Sequence, residues 1–250
     1  MQKISIVTVT YNCENCIEDT IKSVISQDYT NVEYIIIDGA SKDGTMSIIK
    51  KYEGYISYLV SEPDKGIYDA MNKGLKQATG DWVFFLNAGD NFHSMNTLSS
   101  IPFEQRESDT MVCGIIGNVL LKKKGKIEEW RNKRSPFFMS TKRMRNMGFS
   151  HQGVFVKTKL AQEVGFDLSF KLCADYNMMN SLYEKGYRFI IDDTVISEVE
   201  ANYGTSISNR NLQLKEEARI CKCDKSLHFI CLYYWRKAKF AIKGLLKHKL

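Results

Sequence analysis

Proline and long apolar runs are both scarce in this 250-residue sequence. Only three prolines occur, at widely separated positions, so no proline-rich linker divides the chain. No run of about 18 apolar residues is present, so we expect no transmembrane helix. The first residues lack the charged start and cleavage site of a signal peptide, so we also expect no secretion signal. With 44% hydrophobic residues the chain can still form a sizeable core, which excludes disorder of the whole chain.

Two glycine-rich phosphate motifs are also missing. The pattern G-x-G-x-x-G does not follow the first apolar run, and G-x-x-x-x-G-K-S/T does not occur. Both patterns bind phosphates through a close backbone approach at the start of a helix. Their absence argues against dinucleotide dehydrogenases and P-loop NTPases.

Seven cysteines in a chain without a secretion signal indicate a reducing compartment, where thiols stay free. Cys13 and Cys16 form a C-x-x-C pair, and Cys221 and Cys223 form a C-x-C pair. A zinc ion joining the two pairs stays an alternative, although their spacing matches no ordinary zinc module.

Positive charge is concentrated in two segments, although the formal net charge of the chain is only +6. Residues 122–145 and 219–250 each carry +8, which leaves −10 on the rest of the chain. Such asymmetry indicates an anionic partner, which could be phosphate, a membrane surface or nucleic acid. Nucleic acid is disfavoured because no recognition motif accompanies the basic segments.

Strand and helix patterns alternate over the first ninety residues. Four short apolar runs predict strands at residues 4–10, 34–37, 56–60 and 82–86. Helical spacing of apolar residues predicts helices between them. This order predicts a parallel sheet with right-handed crossovers, in which ligands bind beyond the carboxyl ends of the strands.

The second half of the chain has less regular patterns. Strands are predicted at 111–121, 153–156 and 188–192, and helices at 158–165, at 175–185 and from 209 to the end. The basic stretch 122–150 has turn-like and irregular sequence, for which we predict no regular element.

Polar clusters follow all four N-terminal strands, at residues 10–12, 38–45, 62–66 and 87–90. Each cluster alone is typical of a turn, since Asp, Asn and Gly favour turns. Together they are expected at one sheet edge, where carboxylates can accept hydrogen bonds from ribose and hold Mg²⁺ or Mn²⁺ beside a diphosphate. The pattern therefore favours a nucleotide site.

Five motifs occur in order along the chain: TVTYN, IIIDGASKDGT, SEPDKGIYDAMNKGLKQATGDWVFFLNAGD, SHQGVF and ADYNMMNSLYEKG. In order and spacing they resemble the family-2 glycosyltransferases of the GT-A fold, over residues 3–205. The resemblance implies an α/β fold with a GT-A-like mixed, mainly parallel sheet flanked by helices and a C-terminal helical extension. The expected domain is 1–206, with a nucleotide-sugar half at 1–92 and an acceptor half at 93–206, followed by a basic amphipathic extension at 207–250.

The resemblance assigns donor-binding roles to residues of the strand-end clusters. Thr10 is expected next to the base and ribose, and Asp38 is similar to the carboxylate that reads a uracil ring. Lys65 belongs to a segment that closes over the nucleotide, while Asp43 could equally cap the following helix. The implied donor-binding residues are Thr10, Asn12, Asp38, Ser41, Asp64, Lys65, Asn72 and Asn87.

The family's acidic DxD metal motif is reduced here to Asn87-Ala88-Gly89-Asp90. Only the last acidic position survives, so the resemblance implies Asp90 as the ligand of Mn²⁺ or Mg²⁺. Asn87 can hydrogen-bond a ribose hydroxyl but is a poor metal ligand. With one carboxylate the metal would rest mainly on the diphosphate and water, and we expect weak metal binding without nucleotide.

The resemblance places the catalytic base at Asp175. In the family an acidic pair opens a helix under the acceptor and its second member is the base, whereas here the pair reads Ala174-Asp175. An inverting transfer needs such a base opposite the leaving group. His151 and Gln152 resemble the family's acceptor-side HQ pair. Two alternatives stay open: Asp175 is a helix N-cap for 176–185, or His151 is a core histidine.

Both basic segments have two interpretations. Residues 122–145 form either a flap that contacts donor phosphates or a lipid-linked acceptor, or a solvated loop. Residues 227–246 place apolar side chains on one side of a helix and Lys and Arg largely on the other, which suits an anionic membrane surface. Packing of that helix on its own domain is the alternative.

Residues 203–206 fit loosely the glycine-rich loop of related enzymes.

The resemblance implies a metal-dependent inverting glycosyltransferase of the hexosyl- or N-acetylhexosaminyltransferase class. Its expected partners are a UDP-sugar donor and a hydroxyl of a growing bacterial surface glycan on polyprenyl diphosphate. We expect a cytoplasmic location, peripheral at the inner face of the plasma membrane. The alternatives are a catalytically degenerate nucleotide-binding or membrane-associated module and a sugar nucleotidyltransferase, which usually has a basic glycine-rich signature early in the chain.

Overall fold

The computed structural model describes residues 1–104, 109–123, 126–130, 137–139, 145–147, 149–200, 209–227, 230–231 and 234. The strands are β1 (Ile4–Thr10), β2 (Val32–Asp38), β3 (Tyr58–Ser61), β4 (Trp82–Phe85), β5 (Asn91–Phe92), β6 (Val112–Lys123), β7 (Lys126–Trp130), β8 (Phe137–Met139), β9 (Arg145–Met147), β10 (Val154–Lys157) and β11 (Arg188–Glu200). The helices are α1 (Ile17–Ile25), α2 (Thr45–Ile49), α3 (Ile67–Gln77), α4 (Thr97–Ser100), α5 (Thr158–Val164), α6 (Ala174–Glu184) and α7 (Arg210–Ile220). Two 3₁₀ helices cover Lys50–Tyr55 and His151–Gly153.

A nine-stranded mixed sheet forms the centre of the fold. Its order is β3-β2-β1-β4-β10-β6-β11-β5, with β7 also paired to β6. The first four strands are parallel to one another. Strand β10 runs antiparallel to both neighbours, whereas β11 runs parallel to β6. The predicted α/β fold and parallel N-terminal sheet are therefore confirmed.

The pairing register brings the strand ends together. Thr10 lies opposite Asp38, and Asp38 lies opposite Ser61. Strand β4 pairs with the other side of β1, where Phe85 lies opposite Val7. The segments that follow β1 to β4 therefore begin at one edge of the sheet, as predicted.

The core has one layer on each face of the sheet. Val7 and Ile35 pack in the layer that contains α3, α5 and α6, whereas Ile6 and Ile36 pack in the layer that contains α1. This alternation is the two-residue period of a strand, and burial on both faces explains the unbroken apolar runs. Helix α3 lies close to the sheet, since a Cβ added at Gly74 would lie 2.4 Å from a methyl carbon of Val7.

The second half departs from the predicted elements. The stretch 122–150, expected to be irregular, contains β7 and the hairpin of β8 with β9. Strand β11 extends to Glu200 rather than ending near 192, because it pairs along β6 through several register shifts. The predicted helix from 209 is interrupted after Ile220, and Lys222 has a left-handed backbone with a φ of 55°.

Several predictions fall on residues outside the described ranges. They are the flap residues Arg131, Lys133, Arg134 and Arg143, the loop 203–206, and the tail 235–250. The boundary between 206 and 207 stays a prediction, since residues 201–208 also lie outside. Within the described ranges, no helix combines the length and apolar character needed to cross a membrane.

Candidate functional site

Hydrogen bonds join the loops that follow β1 and β2. Asn12 has a left-handed backbone, with a φ of 51°, which asparagine tolerates better than most residues. Its N–H donates to Ser41 Oγ over 2.8 Å, and its Oδ1 accepts from the Lys42 N–H over 2.9 Å. The structure thus brings two predicted donor-binding residues, Asn12 and Ser41, into one network.

Asp38 is fully buried at the centre of this network. Its carboxylate accepts from the Ser41 N–H at 2.9 Å, from the Ser41 hydroxyl at 2.5 Å and from the Ser61 hydroxyl at 2.5 Å. A buried carboxylate is costly unless hydrogen bonds compensate its lost hydration, and these three donors do so. Asp38 therefore fixes the ends of β2 and β3, and its contact with a uracil ring stays a prediction.

Asp64 lies against the same edge of the sheet. A Cβ added at Gly39 would lie 2.5 Å from Asp64 Oδ2, so a side chain at position 39 would displace this carboxylate. The other oxygen, Oδ1, accepts from the Gly66 N–H over 2.8 Å. Lys65 is exposed, and its N–H donates to Asp69 Oδ2 over 2.9 Å. The turn 64–66 is therefore positioned beside the ends of β1 and β2.

Two predicted donor-binding residues carry buried polar atoms that have no hydrogen-bond partner among the described residues, namely Thr10 Oγ1 and Asn87 Oδ1. Buried polar atoms are normally hydrogen-bonded, and an exception in a native structure often marks a functional position. Thr10 ends β1, and Asn87 lies two residues after β4. The edge of the sheet therefore offers polar groups that a bound ligand could satisfy.

Asp90, the predicted metal ligand, is 8% exposed. Within the described part of the chain, no group donates a hydrogen bond to its carboxylate. Burial raises the pKa of Asp90 to about 7, and the charge of His151 partly opposes this rise. A buried carboxylate that lacks donors fits a divalent cation, because Mn²⁺ and Mg²⁺ prefer oxygen ligands.

Asp90 does not form a complete metal centre with its neighbours. The described residues contain no group of three or more His, Cys, Asp or Glu side chains that could hold a metal ion. The cysteines are free thiols, so the alternative of a zinc site joining the two cysteine pairs has no support in these residues. A cation at Asp90 would therefore depend on a diphosphate and water for its remaining ligands.

Asp175 and His151, both predicted to lie on the acceptor side, form an ion pair. His151 Nδ1 lies 2.9 Å from Asp175 Oδ2, and the Tyr68 hydroxyl donates to Asp175 Oδ1 over 3.0 Å. Burial alone would raise the pKa of Asp175, but the charge and hydrogen bond of His151 hold it below its ordinary value. Burial alone would likewise lower the pKa of His151, but Asp175 raises it. Each residue therefore stabilises the charged form of the other.

His151 interacts electrostatically with both predicted reaction carboxylates. Its charge acts on Asp90 as well as on Asp175. The side chain is 27% exposed and pairs with Asp175, and the alternative of a core histidine stays open. His151 therefore interacts electrostatically with both the predicted metal ligand and the predicted base.

Asp175 is not the N-cap of α6, so the alternative of a helix N-cap is wrong. The helix begins at Ala174, and Cys173 occupies the N-cap position without a side-chain hydrogen bond. The chain before the helix is held instead by Glu216 of α7, whose buried carboxylate accepts from the N–H groups of Lys171, Leu172 and Cys173 at 2.8, 2.9 and 3.0 Å. Glu216 therefore fixes the segment that leads into α6, the helix that carries Asp175.

Two predicted site residues have structural partners. Asn72 exchanges two hydrogen bonds with the backbone of Phe166, at 2.8 and 2.9 Å. The Gln152 side-chain oxygen accepts from the Ser150 hydroxyl, and the backbone carbonyl of Gln152 accepts from the Ser197 hydroxyl at 2.6 Å. The donor-binding role of Asn72 and the acceptor-side role of Gln152 stay predictions.

Tyr68 and Glu216 have site contacts that were not predicted from the sequence. Tyr68 belongs to a motif already quoted, GIYDAMNKG, but its spacing gives no indication of a partner at position 175. Glu216 lies in a polar helix beyond the motifs, where a buried carboxylate is unexpected. Each contact depends on tertiary packing between distant segments.

Comparisons with known proteins agree with this geometry. The profile "Glycosyl transferase family 2" matches residues 5–164. The uncharacterized glycosyltransferase Rv1514c of Mycobacterium tuberculosis is 30% identical over 174 residues, which cover 69% of this chain and 65% of that relative. The chain thus spans less than two thirds of that relative's length.

A second relative matches almost end to end. The Escherichia coli protein named UDP-Glc:alpha-D-GlcNAc-diphosphoundecaprenol beta-1,3-glucosyltransferase WfaP is 28% identical over 257 residues, covering 99% of this chain and 96% of that protein. Among solved structures, S. aureus TarS 1–349 in complex with UDP superposes with a TM-score of 0.67 at 19% identity, covering 89% of this chain and 65% of that one. The structural match supports the GT-A-like fold.

Proposed function

This chain belongs to glycosyl transferase family 2, and we propose that it transfers a sugar from UDP to a hydroxyl of a lipid-linked bacterial surface glycan, with inversion at the anomeric carbon. One observation carries the proposal. The buried carboxylate of Asp90, to which no described residue donates a hydrogen bond, and the His151–Asp175 pair lie at the same site, beyond the ends of parallel strands. These are the two charges that a displacement of a nucleoside diphosphate requires.

The identity of the donor and acceptor rests on two relatives. WfaP carries UDP-Glc and a diphosphoundecaprenol-linked acceptor in its name, and it aligns over nearly the whole chain. TarS was crystallised with UDP, and it shares the fold. We therefore propose a UDP-hexose or UDP-N-acetylhexosamine donor and a polyprenyl-diphosphate-linked acceptor at the inner face of the plasma membrane.

Asp90 would hold Mn²⁺ or Mg²⁺, and Asn87 would contact a ribose hydroxyl. When bound, such a cation neutralises negative charge that develops on the departing diphosphate. The fit of Asp90 to this role rests on its burial and on the absence of described hydrogen-bond donors to its carboxylate. Its single carboxylate predicts that metal and UDP bind together more tightly than either binds alone.

Asp175 would accept the proton of the acceptor hydroxyl. Its two oxygens already bind Tyr68 and His151, so the acceptor would approach a remaining lone pair of the carboxylate. Attack on the anomeric carbon from the face opposite UDP breaks the sugar–phosphate bond, and the proton goes to Asp175. His151 then stays paired with Asp175 and orients it.

The test uses purified full-length protein, UDP-sugars, Mn²⁺ or Mg²⁺ and a synthetic polyprenyl-diphosphate-linked acceptor. Wild type should release UDP and extend the acceptor. Asp175→Asn should lower kcat by about 10³-fold while UDP binding persists, because only the base is lost. Asp90→Ala should abolish metal-dependent UDP binding. Full transfer by Asp175→Asn, or unchanged metal-dependent binding by Asp90→Ala, would overturn the respective assignment.

A degenerate nucleotide-binding module is the second candidate. It is favoured by the loss of the first acid of the metal motif and by Ala174 where the family has an acid before the base. Binding of UDP without turnover over a broad acceptor panel would favour this candidate. Release of inorganic diphosphate instead of UDP would indicate a sugar nucleotidyltransferase.

We further propose that the C-terminal segment contacts an anionic membrane. Leu227, Ile230 and Tyr234 are exposed at its start, at spacings that share one side of a helix. The basic residues that follow would face lipid phosphates. Co-sedimentation with phosphatidylglycerol vesicles tests this proposal, and equal binding to neutral phosphatidylcholine vesicles would contradict it.

A further inference from the structure

Tyr68 reaches the proposed base from the opposite half of the chain. It is the second residue of α3, directly after the turn 64–66 beside the donor edge. Its hydroxyl donates to Asp175 Oδ1 over 3.0 Å, across 107 residues of sequence. The contact therefore connects a donor-side helix to the acceptor side of the site.

The phenol ring of Tyr68 has a fixed position. It stacks on Phe166, with ring centroids 5.6 Å apart and an interplanar angle of 20°. Phe166 packs edge-on against Phe85 of β4, with centroids 5.0 Å apart. Its backbone exchanges two hydrogen bonds with Asn72 of the same helix α3. Helix α3 therefore carries Tyr68 and also holds Phe166, the residue on which the Tyr68 ring stacks.

The two oxygens of Asp175 are held from two directions. Tyr68 binds Oδ1 and His151 binds Oδ2, and the N–H of Tyr176 also donates to the carboxylate. Among the described residues, the thiol of Cys173 is a further titratable group close to it. Tyr68 and His151 lie on different elements, so their contacts restrict rotation of the carboxylate from directions that the Tyr176 N–H of its own helix does not supply. Burial and the neighbouring carboxylate raise the pKa of Tyr68, so its hydroxyl stays protonated and remains a donor.

From this arrangement we propose that Tyr68 is a positioning residue, which fixes the Asp175 carboxylate in the orientation that proton transfer requires. The proposal rests on the proposed function, in which Asp175 is the base. A phenol suits this task because it donates one hydrogen bond to the ionised carboxylate without adding a charge to the site.

Tyr68→Phe removes only the hydroxyl and keeps the ring on Phe166. We expect kcat to fall by about 10- to 100-fold, with the KM for the UDP-sugar unchanged. The acid limb of the pH–kcat profile should move up by roughly half a unit to one unit, because the ionised form of Asp175 loses a donor. A purely structural role for Tyr68 would leave the acid limb in place.

Tyr176→Phe is the matched control. It also removes a tyrosine hydroxyl, one residue from Asp175, but that hydroxyl lies 3.5 Å from Cys221 Sγ. It should leave the acid limb unchanged. An unchanged kcat and acid limb in Tyr68→Phe, or the same shift in both variants, overturns the proposal.

A second measurement separates this proposal from the proposed function. The pKa of Asp175 can be followed by carboxyl ¹³C NMR without any turnover. If wild type transfers no sugar, the proposed function fails, and a higher Asp175 pKa in Tyr68→Phe still supports the positioning contact. If wild type transfers sugar and the Asp175 pKa is the same in both proteins, only the role of Tyr68 fails.

Discussion

Asp38 and Asp90 lie at the same edge of the sheet, yet their carboxylates have opposite surroundings. Three hydrogen bonds from Ser41 and Ser61 reach Asp38, whereas no donor to Asp90 exists among the described residues. Both side chains are buried. Asp38 therefore stabilises the loops, whereas Asp90 has no hydrogen-bond donor among the described residues, which agrees with the proposed metal-binding role.

Asp90→Asn should stabilise the free protein above neutral pH. Because the pKa of Asp90 is raised to about 7 while an unfolded Asp titrates near 4, the wild type loses stability as pH rises from about 4 to 7. Asparagine does not titrate, so the variant keeps its free energy of unfolding as pH rises. Its advantage over wild type should therefore grow between about pH 4 and 7 and reach on the order of 2–4 kcal/mol at pH 8. Urea unfolding at pH 5 and pH 8 measures it, and an equal effect at both values would contradict this account.

Asp38→Asn should destabilise the protein, whereas Asp90→Asn should stabilise it. The new amide group brings a donor to a position where Ser41 and Ser61 already donate, so at least one hydrogen bond is lost in a buried place. We expect a loss of about 2 kcal/mol in the free energy of unfolding at pH 7. Asp90→Asn is the matched control, since it makes the same chemical change at the same edge. If both variants were stabilised, the hydrogen-bond donors around each carboxylate would not determine whether its replacement raises or lowers the free energy of unfolding.

The His151–Asp175 pair should contribute most to stability in weakly acidic solution. Asp175 has a lowered pKa, so its contribution is present above about pH 4 and is lost as pH falls through the folded value. His151 has a raised pKa, so its contribution is present below about pH 6.5 and is lost as pH rises through the folded value. The coupling energy should therefore peak between about pH 4 and 6.5.

A double-mutant cycle measures this coupling. His151→Gln, Asp175→Asn and the double variant should give a coupling energy on the order of 1–3 kcal/mol near pH 5.5, which decreases at pH 8.5. A coupling energy that does not change with pH would mean that the two groups interact without charge.

The N-terminal half of the fold could be predicted from the sequence because its strands are buried on both faces. Such strands leave unbroken apolar runs, and β1 matches the predicted range. The location of residues 10, 38 and 90 at one edge of the sheet could also be predicted, because each follows or ends a strand of the predicted parallel sheet. The polar half of β11 could not be predicted in this way, since pairing with β6 rather than its own side chains makes it a strand. Contacts of Tyr68 and Glu216 with the α6 region have no periodic signal, because they join segments 107 and about 45 residues apart.

Glu216→Ala should destabilise the protein strongly. The buried carboxylate accepts from three successive backbone N–H groups, at residues 171–173, and its removal leaves those donors without a partner. Unsatisfied buried donors cost about 1–3 kcal/mol each, and with partial access to water we expect a loss of about 3 kcal/mol in the free energy of unfolding. Urea unfolding at pH 7 measures the loss.

Glu217→Ala is the matched control for Glu216→Ala. Glu217 is the next residue of α7, is less buried, and accepts a hydrogen bond from Gln213 one turn earlier at 2.9 Å. Its loss should cost about 0.5 kcal/mol, as for other pairs on one helix. Glu216→Gln should lose less stability than Glu216→Ala, because its amide oxygen still accepts, but its amide NH2 must face at least one of the three N–H donors, so at least one hydrogen bond is lost. Similar losses of stability in Glu216→Ala and Glu217→Ala would show that the three amides do not depend on Glu216.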